Sequence, residues 1–284
     1  MTTVLITGGA GYVGSHIVLN LLKKNYKVLV FDSFVNSKEN ILDTFNKVFD
    51  REFLKANLTL IKGDLRNKEN LLDLFMPIYA KGKEIDFVIH CAGLKSVKES
   101  SRESLNYWEV NVGGTINLLQ IMNKFACKRI IFSSSATVYD FSESAFLNER
   151  SKLKPINPYG NTKFVIEKLL EDTYLSSKNE WKIINLRYFN PIGANSEGML
   201  GESPTSDGDN IFPLILGVAS RRIEKITIFG DDWNTKDGTC VRDYIHIDDL
   251  ADCHIRALEY LSEDSHNFLN LNIGTGQGTT VLEL

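Results

Sequence analysis

"VLITGGAGYVG" (residues 4–14) decides the fold of this chain. A short apolar run breaks into glycines and is followed at once by "SHIVLNLLKK" (15–24), which has the apolar spacing of an amphipathic helix. Gly8, Gly11 and Gly14 therefore stand between a buried strand and a helix. Glycines in that place permit a tight turn and let backbone N–H groups at the helix start approach a pyrophosphate. The next strand, "YKVLVFD" (26–32), ends in Asp32, 18 residues after Gly14. An acid there suits a ribose diol and repels a 2′-phosphate, so NAD rather than NADP is the expected cofactor.

The alternation continues outward from this unit. "NLTLIKGD" (57–64), "IDFVIHCA" (85–92), "CKRIIFSSS" (127–135) and "WKIINLRYF" (181–189) read as further strands, and 107–126 and 159–175 as helices. Apolar strands alternating with helices predict an α/β, Rossmann-type doubly wound parallel sheet covered on both faces. After residue 189 the composition shifts to Gly, Asn, Ser and Asp, and 190–210 reads as a long functional loop. We therefore place an NAD-binding domain at 1–189 and a smaller substrate-binding domain at 190–284, leaving room for segments of the second to return to the first. A helical stretch and the strand-like "KITIFG" (225–230) follow the loop. "GTTVLEL" (278–284) reads as the opening of a helix without its body, so a C-terminally truncated chain is expected.

Composition narrows the function. The 284 residues are 43% hydrophobic and 24% charged, with a formal net charge of −4. No basic block favours nucleic acid or a membrane surface. The four cysteines are dispersed, without the spacing of a zinc site or a disulfide framework. No metal is expected. With no basic-then-apolar leader at the N-terminus, a cytoplasmic setting is expected.

The chemistry-bearing residues lie where strands end. "KGDLRN" (62–67) offers Asp64 as an acceptor for an adenine amino group, and "HCAGLK" (90–95) offers small Ala92 and Gly93 where a cofactor passes the backbone. His90 reads as a satisfied strand-end histidine. "SSSATVY" (133–139) puts serine hydroxyls, Ser135 among them, at the carboxyl end of a central strand, where open α/β sheets bind ligands. In "PYGNTK" (158–163), Tyr159 and Lys163 are one helical turn apart. A tyrosine with a pKa of about 10 is too weakly acidic to be a base at neutral pH. A nearby ammonium and a positive nicotinamide ring would favour its phenolate.

These stretches, together with "NVGGT" (111–115), "LRYFNPIGA" (186–194), "NTKDGTCVRDYIH" (234–246) and "LNIGTGQGTTVLEL" (271–284), resemble the extended short-chain dehydrogenase/reductases, in particular their sugar-nucleotide epimerases. The resemblance runs from residue 2 to the last residue. It implies Ser135, Tyr159 and Lys163 as the catalytic residues. It implies that NAD is held by Gly8, Gly11, Tyr12, Val13 and Gly14, by Asp32 with Asn36 and Ser37, and by Asp64 and Leu65. Ala92, Gly93, Lys95, Asn111 and Ser133 would complete that site with Tyr159 and Lys163, and Tyr188 would lie near the nicotinamide. A UDP-sugar would meet Lys95, Ser135, Tyr159, Asn190, Asn210 and Arg242. The implied activity is NAD-dependent interconversion of UDP-glucose and UDP-galactose through a 4-keto sugar, in a homodimer formed by helices 101–126 and 159–178.

Several positions depart from the family pattern. Cys91 replaces a larger apolar residue, Asp140 replaces a common glycine, and 48–58 reads as a surface insertion. The family's uridine-side segment and its pocket-sizing residue fall beyond Leu284. A 4,6-dehydratase would need an acid–base pair after the threonine at the end of strand five. Ala136 and Thr137 stand there, and no carboxylate appears before Asp140. A silent NAD-binding regulator would be expected to have lost Ser135, Tyr159 or Lys163, and all three are present.

Overall fold

The computed structural model describes residues 1–39, 41–142, 146–178, 180–202, 210–263 and 267–284. Its centre is a sheet of seven parallel strands: β1 (Thr3–Thr7), β2 (Lys27–Asp32), β3 (Leu58–Lys62), β4 (Phe87–His90), β5 (Arg129–Ser135), β6 (Lys182–Tyr188) and β7 (Phe268–Ile273). Their order across the sheet is β7-β6-β5-β4-β1-β2-β3. The direction of winding reverses between β1 and β4, which opens a crevice at their carboxyl ends.

Both faces of the sheet are buried, which is why its strands read as nearly continuous apolar runs. Side chains alternate between the two cores. Val4, Ile6, Val28, Val30, Ile184 and Leu186 face one layer, where α1 (Tyr12–Lys23) adds Ile17 and Leu21. Leu5, Leu29, Ile130, Phe132 and Ile183 face the other. That second layer is built from α2 (Lys68–Tyr79), α3 (Gly114–Lys124) and α4 (Pro158–Ser176), with Phe75, Met122 and Leu170 pointing inward.

The chain beyond residue 189 contributes to this sheet as well as to the loops above it. Helix α6 (Ile247–Ser262) lays Ala251, Ile255 and Leu258 into the α1 layer, and β7 extends the sheet beside β6. A shorter helix, α5 (Ile211–Ala219), precedes them. Asn190–Ile192 pairs in parallel with Tyr244–His246, and Val241–Arg242 pairs with Thr279–Thr280.

Two local expectations need correction. Residues 225–230 form no strand, and Phe229 is 86% exposed, so this apolar run lacks the partner surface a strand requires. The segment 48–58 is more than a surface insertion, because helix Arg51–Asn57 buries Leu54 against the α1 layer. Its start is capped by the Asp50 carboxylate, which accepts from Phe53 N–H at 2.8 Å. The end "GTTVLEL" keeps the expected helix opening: after the two-residue strand Thr279–Thr280, paired with Val241–Arg242, Thr280 N–H donates to Glu283 Oε2 at 3.0 Å, Glu283 N–H to Thr280 Oγ1 at 3.1 Å and Leu284 N–H to Thr280 O at 3.2 Å. Part of the 190–210 loop, residues 203–209, lies outside the described residues.

Candidate active site

The glycine turn is fixed by close approach. Gly8 has φ +71°, and its N–H donates to Phe31 O at 2.8 Å, tying the turn to the end of β2. A Cβ on Gly14 would lie 2.2 Å from Gly8 O and 2.7 Å from Gly9 Cα. The turn and the first turn of α1 therefore pack backbone on backbone. Gly11 caps α1 and supplies no side chain to its open N–H groups. The helix start thus keeps donors and a partial positive charge for an anion.

Asp32 is buried at the rim of this turn. Its Oδ2 accepts from Ala10 N–H at 3.0 Å, and its Oδ1 accepts from Phe34 N–H at 2.8 Å and from the Ser37 hydroxyl at 2.9 Å. A carboxylate has about four acceptor positions, so one remains for a ribose hydroxyl. Ser37 thus reaches the site through Asp32, while Asn36 is exposed. These features fit NAD: a side-chain-free cradle, an uncapped helix start and an acid with a spare acceptor position.

Asp64 is less free than its position suggested. Arg66 binds its carboxylate in a fork, with Nη2–Oδ2 at 2.7 Å, and this hydrogen bond holds the Asp64 carboxyl below its usual pKa. Leu65 is buried against Gly114. The loop after β4 is held from below by Asn111, which sits in a π-helical turn, Trp108–Gly113, inside the stretch expected as one helix. Asn111 Oδ1 accepts from Leu94 N–H at 2.8 Å, and its Nδ2 donates to Leu94 O and to the Thr162 hydroxyl. Its amide is spent on positioning the Ala92–Lys95 loop. Such turns recur at functional sites because they re-aim one residue.

Helix α4 starts sharply because Asn157 caps it, accepting from Gly160 N–H at 2.8 Å, with Pro158 in the first turn. That start sets Tyr159 and Lys163 on the face toward the end of β5. Both are buried, at 7% and 4% exposure. Burial pushes the Tyr159 phenol up to about 12, and the Ser135 hydroxyl bonded to it pulls in the opposite direction. Burial brings the Lys163 amine down to about 8, against the opposing pull of Cys91 and Glu167. Lys163 Nζ donates to Ser133 O at 2.8 Å and lies 5.9 Å from the centre of the Tyr159 ring. In the protein alone the ammonium does not offset the burial of the phenol.

Ser135 also accepts from the Thr137 hydroxyl at 3.0 Å, and it pairs in register with Tyr188 on β6. Tyr188 shares a hydrogen bond with Ser133, and its phenol is raised well above its ordinary pKa by burial and by Tyr159. Ser133 Oγ in turn lies 3.1 Å from Cys91 Sγ and 3.0 Å from His254 Nε2. Cys91 is therefore part of the site floor, and burial pushes its thiol up to about 11.

His90 is bonded on both ring nitrogens, to Thr7 Oγ1 at 2.7 Å and Thr115 Oγ1 at 2.8 Å, and has no catalytic reach. Burial, assisted by Lys163, lowers it to about 3, and burial lowers His254 to about 4. Both values lie below the unfolded value of 6.5, so the folded state resists protonation that the unfolded state accepts. These two groups contribute stability above pH 6.5 that is lost as pH falls toward 4 and 3. An acid titration of unfolding free energy should show this loss, and replacing His254 with Gln should flatten its upper part.

On the substrate side, the side chains of Lys95 and Asn210 converge on one carboxylate that sequence reading missed. Glu202 Oε1 accepts from Lys95 Nζ at 2.9 Å and from Asn210 Nδ2 at 2.6 Å. Lys95 Nζ also lies 5.9 Å from the Tyr12 ring centre, and Tyr12 donates to Gly193 O at 2.8 Å, linking the glycine turn to the 190–202 loop. Asn190 N–H donates to Asp243 O at 3.0 Å, so it sits beside the Arg242–Asp243 segment. Arg242 is exposed and donates to Val241 O. The Asp243 carboxylate accepts instead from Thr275 N–H, Thr275 Oγ1 and Gly276 N–H.

A glycine turn with an uncapped helix start and a buried acid, on the same sheet edge as a buried Tyr–Lys pair beside Ser135, has the features of a dinucleotide-dependent α/β enzyme. Residues 4–274 match the sequence profile of the NAD dependent epimerase/dehydratase family, and the chain belongs to that family. It is 46% identical over 286 aligned residues to UDP-glucose 4-epimerase 1 of Oryza sativa subsp. japonica, covering all of this chain and 78% of the relative. Among solved structures, UDP-glucose 4-epimerase from Stenotrophomonas maltophila, with bound NAD and formylated UDP-arabinopyranose, superimposes with a TM-score of 0.90 at 37% identity, over all of this chain and 81% of that one. The enzyme from Bifidobacterium longum, in complex with NAD+ and UDP, gives 0.88 at 37% identity, over 99% of this chain and 81% of that one.

Proposed function

We propose that this protein is an NAD-dependent epimerase that interconverts UDP-glucose and UDP-galactose at C4 of the hexose. The observation that carries this reading is the burial of Tyr159 beside Ser135, one turn from Lys163, at the carboxyl edge of the sheet and across from the Asp32 cradle. NAD, when bound, supplies the hydride acceptor and donor at C4 and the positive ring charge that favours the Tyr159 phenolate. Tyr159 then takes the proton of the sugar 4-hydroxyl, with Ser135 bridging the two oxygens. Lys163 holds its place on Ser133 O and keeps a positive charge beside the phenolate. Reversal of the same proton transfer completes the reaction once the 4-keto sugar has turned over.

Recognition of the substrate falls to the segment beyond residue 189, the proposed substrate-binding part, together with Lys95 after β4. Lys95 and Asn210, bonded to Glu202 in the protein alone, meet the UDP-sugar, Asn190 offers an amide to a sugar or phosphate oxygen, and exposed Arg242 offers a planar fork that suits pyrophosphate. Ser133 and Tyr188 floor the nicotinamide side. The reading includes a homodimer in which Leu105, Ile116 and Leu175, at 83%, 39% and 62% exposure, are covered by a second copy. It also includes a cytoplasmic setting. Among the described residues, no helix is long and apolar enough to cross a membrane.

The test is direct. Purified protein, given UDP-galactose without added NAD, is expected to form UDP-glucose, because a cofactor regenerated in each cycle stays with the enzyme. Failure to form it with NAD also supplied, or accumulation of a 4-keto-6-deoxy sugar, would sink the proposal.

A further inference from the structure

Behind the catalytic serines lies a buried ion pair that the reaction scheme leaves unused. Glu167 and Arg187 have side chains 5% and 2% exposed. Arg187 grips the carboxylate as a fork, with Nε at 3.0 Å from Oε1 and Nη2 at 2.6 Å from Oε2. The same Glu167 Oε1 accepts from the Ser134 hydroxyl at 2.5 Å. Arg187 Nη1 donates to Tyr139 Oη at 3.0 Å, and Tyr139 donates onward to Asn272 Oδ1 at 2.6 Å. One network thus joins α4, β5, β6 and β7.

Its placement follows from two periodicities. Glu167 is four residues after Lys163 on α4, so the two share a face one turn apart. Ser134 stands between Ser133, whose carbonyl holds Lys163, and Ser135, which bonds Tyr159. Arg187 pairs in register with Ser134 and precedes Tyr188. An ion pair this deep contributes little net stability, since desolvation opposes the Coulomb attraction. Its geometry points to another role.

We propose that the Glu167–Arg187 pair is a positioning device for the reaction: it clamps α4 to the end of β5 through Ser134, fixing Lys163 and Ser135 against Tyr159, and sets a negative charge one turn from the lysine. The proposal rests on the catalytic reading of Tyr159, Ser135 and Lys163. The groups facing Lys163 are Tyr159 and Glu167 on its own helix, Cys91 and His90 at the end of β4, and the Ser133 carbonyl on β5. Among them Glu167 supports the charged amine.

The experiment compares the pH dependence of kcat for the wild type, Glu167→Gln, and the double variant Glu167→Gln with Arg187→Met. The double variant keeps an acceptor for Ser134 and leaves no lone buried charge, so it separates positioning from folding. In that variant, shown folded by circular dichroism, kcat is expected to fall about 100-fold, the cost of a misplaced reacting group. KM for UDP-galactose should stay within about threefold, because ground-state binding is untouched. The alkaline limb should move to lower pH in Glu167→Gln, where Lys163 loses its support while the Arg187 charge stays, and less in the double variant, where both charges are gone. A folded double variant with wild-type kcat, or a folded Glu167→Gln with an unchanged limb, would overturn the proposal, because a purely structural role lowers activity without moving the limb. An inactive wild type would instead remove the catalytic reading, and the proposal with it.

Discussion

Replacing Tyr159 with Phe should lower kcat by about 10²–10⁴-fold, the range that a positioned proton-transfer group contributes. The phenyl ring keeps the volume, so the fold and NAD retention should be preserved. Only the hydroxyl bonded to Ser135 is lost. KM for UDP-galactose should change little, because the proton is moved in the transition state rather than in the ground state. Steady-state rates with coupled detection of UDP-glucose check this. A Tyr159→Phe enzyme with full turnover would remove the base from the scheme.

The second large effect concerns Gly14. An alanine methyl there would sit 2.2 Å from Gly8 O and 2.7 Å from Gly9 Cα, distances that real contacts do not reach. Both atoms are backbone, and Gly8 is anchored to Phe31 O at 2.8 Å, so the turn cannot yield without leaving β2. Overpacking of this kind costs about 1–3 kcal/mol of stability, occasionally more. The larger consequence is for the cofactor. Moving the turn away from α1 opens the cradle beside Asp32. Gly14→Ala should therefore purify without NAD and lose epimerase activity, with a lowered midpoint of thermal unfolding. A variant that retained bound NAD and the wild-type midpoint would contradict the packing argument.

Much of the sheet was legible because parallel strands buried on both faces write themselves as apolar runs, and those runs recur from "TVLIT" (3–7) to "WKIINLRYF" (181–189). The site residues that lie on local motifs were legible for the same reason: the glycine turn, Asp32 and Tyr159 with Lys163 each sit at a spacing set by one strand–helix unit. What escaped depends on contacts between distant segments. His254 reaches Ser133 from 121 residues away. Its helix showed a readable apolar period at Leu250, Ala251, Ile255 and Leu258, yet the period alone does not say which sheet it will cover. Glu167 and Arg187 stand on a helix and a strand with no motif around them. Nothing local distinguishes a charge that will be buried and paired from one left in water. The run 225–230 erred in the other direction, since β-branched composition without a neighbouring strand leaves its backbone unpaired.

The central claim is that the bond to hydrogen at C4 is broken and remade on the same carbon while Tyr159 handles only the hydroxyl proton. UDP-galactose carrying deuterium at C4 tests it most directly. Mass spectrometry of the UDP-glucose formed should find the deuterium retained at C4 when the reaction is run in ordinary water. Loss of the label to solvent would mean that C4 exchanges its hydrogen as a proton, and would contradict the account.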